Sequence, residues 1–187
     1  MGSEACRTLS SVETVTALAG RAGRRPVLVR SPDGGGADHV AEAAAAVLRG
    51  RGEAVHVVRC LERTSPDEHL QLRAMRRSHV LLLASGDGPL PSLAAQLVEY
   101  LRPHVCDVVP ATLDETCMLL DRRLGDGATS DELASAVLVA TAGRVGDVLD
   151  VAAHLARAES ADRADRSTDP DHEGTSVLDL AGFAPTI

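Results

Sequence analysis

Apolar residues fall along this chain in two patterns: short unbroken runs, and longer stretches where they recur every three or four positions. The runs are "RPVLVR" (25–30), "EAVHVVRC" (53–60), "HVLLLAS" (79–85) and "SAVLVATAG" (135–143). None alternates in polarity, so each reads as a strand buried on both faces. Between them lie "HVAEAAAAVLRG" (39–50), an Ala-rich helix stopped by Gly50, and "SPDEHLQLRAMRRS" (65–78), which opens with proline and acids as a first helical turn does. "PSLAAQLVEYLRP" (91–103) and "DVLDVAAHLARA" (147–158) continue the helical pattern. An earlier piece, "SVETVTALAG" (11–20), places Val12, Val15 and Leu18 on one stripe behind a possible Ser11 cap, and reads as a peripheral helix. Residues 103–134 show no clean period beyond one helical piece.

Alternating strands and helices predict an α/β fold: a doubly wound, flavodoxin-like parallel sheet in a three-layer α/β/α sandwich. The strand at 26–30 is central and that at 79–84 lies beside it. The division that follows is an N-terminal extension (1–25), a flavodoxin-like domain (26–158) and a charged tail (159–187). The tail is poor in apolar residues and reads as disordered, with "VLDLAGF" (177–183) a docking segment near its end. Loops leaving the strands, at 31–38, 85–91 and 142–147, converge on one edge, where ligands of such folds bind.

Composition narrows the chemistry. The 187 residues suit one domain, and they include one Tyr, one Phe and no Trp, so a site here works almost without aromatic stacking. A net charge of −8 disfavours nucleic acid and anionic membranes as main partners. Every strongly basic residue is arginine, which excludes a Schiff-base or P-loop lysine. Cys6, Cys60, Cys106 and Cys117 form no CxxC pair, and no signal or membrane-spanning run occurs. The reading is a soluble cytoplasmic protein with reduced thiols.

The loops match no strict motif. "GGGADH" lacks the third glycine of GxGxxG, GxxxxGK[ST] is absent, and Ser85 lacks the flanking glycines of a hydrolase elbow. Asp87, His104, Cys106 and Asp107 lack paired metal-ligand spacing and read as scattered surface residues.

Three segments in order, "VLVRSPDGGGADHVAEAA", "LLLASGDGPLPSLAAQLVEYL" and "AVLVATAGRVGDVLDVAAHL", resemble those of the flavodoxin-like NAD(P)H-dependent FMN reductases over residues 26–157. The resemblance implies a cofactor site for FMN built from Ser31, Gly36, Ser85, Gly86, Asp87, Gly88, Thr141, Ala142 and Gly143. NAD(P)H would be the co-substrate, and the chemistry would belong to the cofactor. It also implies self-association, for which Leu93, Leu97, Leu101 and Tyr100 offer a face. The departures are specific. Gly88 stands where relatives carry tyrosine, Ala95 replaces a lysine, Asp33 sits near the phosphate position, and the family's fifth strand is not evident after Ala158. These departures motivate the alternative, a cofactor-free scaffold serving as partner or accessory subunit of another enzyme.

Overall fold

The structure is a computed structural model that describes residues 9–21, 25–59, 65, 67, 71–72, 78–86 and 88–168, with the backbone alone for 162–168. It divides into two compact units, Met1–Pro110 with Arg144–Gly146, and Ala111–Gly143 with Asp147–Ile187.

The first unit holds a four-stranded sheet of β1 (Val27–Ser31), β2 (Val55–Val58), β3 (His79–Ser85) and β4 (His104–Asp107). Every pairing is parallel and the order is β2-β3-β1-β4. The fold class is the doubly wound, flavodoxin-like α/β class that the alternation predicts. β1 is interior and β3 lies beside it, as expected. β2 sits beyond β3 rather than against β1, one place away from the flavodoxin order 2-1-3.

Successive side chains of a strand point to opposite faces, and this builds three layers. On one face Leu28, Val80, Leu82 and Ala84 pack with Ala94 and Leu97 of α3 (Ser92–Leu101) and with Leu72. On the other, Val27, Val29, Leu81 and Leu83 are buried, and α1 (Ser10–Ala19) and α2 (Ala37–Gly50) pack together there. Each fully buried leucine or valine contributes about 1.5–3 kcal/mol.

Several expectations need correction. α1 is no peripheral helix, because Val12 and Val15 are buried. Ser11 does not cap it; the helix begins at Ser10, and the buried Ser11 hydroxyl accepts a bond from the Val109 N–H at 3.2 Å. Leu97 faces the sheet and Leu101 packs against the same cluster, so Leu93 and Tyr100 alone of the proposed self-association face stand exposed. In the 65–78 stretch Asp67, Gln71 and Leu72 are helical, and most of its other residues lie outside those described.

The largest correction is at 135–143, which is not a strand. It belongs to α5 (Asp131–Thr141), in the second unit. Ser130 caps this helix by accepting from the Leu133 N–H at 3.2 Å, Asp131 and Glu132 sit at the positive end of its dipole, and Ala134, Val137 and Thr141 form its buried stripe. Cutting the window at Ser135 hides both cap and period. The fourth strand comes instead from the aperiodic stretch as β4, four residues of which Cys106 alone is buried.

The second unit also contains α4 (Leu113–Leu124) and most of α6 (Val145–Thr168). α6 runs ten residues into the segment expected to be a disordered tail, and the docking segment 177–183 lies outside the described residues. α4 opens with a capping box: the Glu115 N–H donates to Thr112 Oγ1 at 3.3 Å, and the Thr112 N–H donates to the Glu115 carboxylate at 2.8 Å. Thr112→Ala removes one of these bonds and should cost about 1 kcal/mol in chemical denaturation. An unchanged midpoint would show that the box contributes nothing. No helix among the described residues is long and apolar enough to cross a membrane.

Candidate functional site

The sheet has one natural crevice. From β1 the chain passes to α2 on one face, and from β3 to α3 on the other, so connections leave neighbouring strands in opposite directions. Loops part at such a switch point. Ser31 stands opposite Ser85 in the register, so the two strands end level. Beyond them a cleft of about 750 Å³ opens, lined by Ser31, Pro32, Ser85, Gly86 and residues 88–91, with Arg30, Asp107 and Val108 at its side.

Four of the expected site residues, Ser31, Ser85, Gly86 and Gly88, therefore share one cleft. Asp87 lies outside the described residues. Thr141, Ala142 and Gly143 end no strand; they close α5 in the second unit. Thr141 is buried and donates its hydroxyl to the Val137 carbonyl at 2.8 Å, while Ala142 and Gly143 take the left-handed backbone that terminates helices. The side of the cleft expected from them is supplied by the end of β4, in Asp107 and Val108.

Gly36 has a different task. It precedes α2 with φ of +82°, and a Cβ placed on it would meet the Gly146 nitrogen at 2.8 Å and Val145 Cβ at 3.0 Å. A Cβ on Gly146 would meet the Gly34 carbonyl oxygen at 2.5 Å and the Gly36 nitrogen at 3.3 Å. Gly36 and Gly146 thus let two stretches of backbone, the second lying against Gly34, interlock where side chains have no room. The segment Ser31–Asp38 has the strand-to-helix length of a phosphate loop, with Ser31, Ala37 and Asp38 at the places of that loop's first glycine, its lysine and its metal-binding hydroxyl. Here the start of α6 covers the glycines.

The polar groups around the cleft are matched to one another. The Ala37 N–H donates to Ser31 Oγ at 3.3 Å, the Gly35 N–H to the Pro32 carbonyl at 2.9 Å, and the Gly86 N–H to the Ser31 carbonyl at 3.0 Å. Arg30 makes a two-point pair with Asp107, Nε to Oδ1 at 2.8 Å and Nη2 to Oδ2 at 3.1 Å. Both side chains are well exposed, so this pair orders the cleft more than it stabilises the fold. The Asp33 carboxylate stands 3.7 Å from where a Gly86 Cβ would be, placing negative charge beside the cleft. Burial first, then Asp107, raises the pKa of the Cys106 thiol, which keeps it protonated and a poor nucleophile. Among the described residues no group of His, Cys, Asp and Glu is placed to hold a metal.

These groups fit a flavin phosphate poorly. Two backbone amides of the loop are bonded internally, an acid stands alongside, and no aromatic among the described residues lines the cleft. Sequence reasoning passed over Arg30, set Asp107 aside as a scattered surface residue, and held Gly146 only as part of the 142–147 loop. The first two were detectable as the ends of β1 and β4 once β4 was recognised. Gly146 belongs to the 142–147 stretch expected to meet the 31–38 loop, and it meets that loop from the start of a helix rather than from a strand end. No protein-family model matches the chain, and no curated protein matches it.

Proposed function

We propose that the protein is a cofactor-free flavodoxin-like scaffold that acts as a partner or accessory subunit of another enzyme. The observation that carries this reading is the interlock of Gly34 and Gly36 with Gly146. Backbone at Val145 and Gly146 lies directly against the loop that would cradle an anion in such a fold, and Ala37 stands where a phosphate loop needs its lysine. The remaining cleft has aliphatic walls in Pro89, Leu90 and Pro91, and the charged side chains that line it, Arg30 and Asp107, are paired with each other. The competing proposal is reduction of FMN by NAD(P)H at the same cleft, supported by its position and by Ser31, Ser85, Gly86 and Gly88.

Titration separates the two. FMN, followed by fluorescence quenching, and Mg-ATP, followed by thermal shift, are added to the purified full chain. A ligand at about a hundred times its Kd would raise stability by about 2.7 kcal/mol, or roughly 5–10 °C for a chain of this size. The scaffold reading expects no quenching and no shift. Quenching by FMN together with NAD(P)H oxidation would overturn it in favour of the reductase.

A further inference from the structure

α5 is apolar on two sides. Its inner stripe of Ala134, Val137 and Thr141 is buried in the second unit, yet Val139 on the outer side is 78% exposed, more than any other large apolar residue described. Val139, Ala136, Ala140 and the partly exposed Leu113 line a shallow groove of about 810 Å³. Small residues along a helix let a second helix approach closely. Asp131 and Glu132 stand at the edge of this groove, no basic residue among those described lines it, and Asp114 follows Leu113 in the chain. The charged side chains described at this groove are therefore both acidic. The Cys117 thiol of α4 has a raised pKa, through burial first and then through Asp131, Asp121 and Asp114.

We infer that the α4–α5 groove docks a basic amphipathic helix of a partner protein, its apolar stripe on Val139 and Leu113 and its arginines or lysines against Asp131 and Glu132. This rests on the accessory-subunit reading and names the chemistry of the partner. Charge decides between occupants. A second copy brings another −8 towards an acidic rim, and the chain's own segment 169–187 carries four acids and no arginine or lysine. Neither complements the groove. A basic helix laid by its apolar face into a groove is a recurrent mode of recognition.

The test uses the full chain and two fluorescein-labelled synthetic helical peptides of Leu/Ala stripe, identical except that one carries Arg and the other Glu on its flanks. Anisotropy should show the Arg peptide bound and the Glu peptide unbound. Val139→Glu should weaken binding about tenfold or more, and Asp131→Asn with Glu132→Gln should weaken it and flatten its salt dependence. Val139 is exposed, so its variant should fold; circular dichroism checks this. Equal binding of the Arg peptide to wild type and Val139→Glu would mean attraction to bulk charge and overturn the proposal, as would no binding at all. A mass by light scattering that falls from dimer to monomer in Val139→Glu would assign the groove to a second copy and overturn it too. The FMN titration is read on the same preparation. Flavin binding with peptide binding intact would sink the accessory-subunit reading while the groove stands.

Discussion

Gly146→Ala should lower stability by about 3 kcal/mol, at the upper end of what overpacking costs, and the melting temperature by roughly 6–12 °C. The added methyl would stand 2.5 Å from a backbone carbonyl, which has no rotamer by which to withdraw. Gly36→Ala should be comparable, because contact with the Gly146 nitrogen is joined by about 1–2 kcal/mol of left-handed strain. Gly88→Ala is the control. That position opens onto free space without positive φ, and its replacement should move stability by less than about 0.5 kcal/mol. Thermal melts of the three variants decide the matter. If Gly146→Ala melts with the wild type, the interlock is absent and the scaffold proposal loses its support.

Leu97→Ala should cost about 2–5 kcal/mol, since Leu97 is 1% exposed and wedged between Ala94, Leu82 and the rest of the cluster on one sheet face. Tyr100→Ala, on the same helix but 61% exposed, should cost much less. Urea denaturation ranks the pair. A reversed ranking would mean that α3 presents Leu97 outwards and would restore it to an interface.

The sequence exposes strands where apolar residues are continuous and bounded by turn residues. "HVLLLAS" and "PVLV" are of this kind, and both lie inside the sheet, where each face needs covering. It conceals β4 because an edge strand of four residues buries a single side chain, and "HVCD" then shows neither a run nor an alternation. "SAVLVATAG" misleads for the opposite reason. α5 buries one stripe and leaves apolar residues on its outer side, so an amphipathic helix looks like an unbroken apolar run. The groove and the misread strand have the same cause.

The candidate site follows similar logic. Ser31, Ser85, Gly86 and Gly88 are legible because strand ends and their turns are adjacent in the chain, and a parallel sheet gathers them at one edge. Thr141 to Gly143 are misassigned together with their element. The partnership of Arg30 with Asp107 depends on β1 and β4 being neighbours, which is a fact of topology rather than of spacing.

The interlock also sets the order in which the protein can be completed. The glycine loop leaves the ribosome early, but the backbone that lies against it, Val145 and Gly146, is made more than a hundred residues later, after α4 and α5. Closing so distant a contact is entropically costly and late. Until then a nascent sheet carries an uncovered loop of backbone amides. The first unit, although nearly all of its chain ends at Pro110, is finished only when the polypeptide has passed through much of the second and returned for three residues.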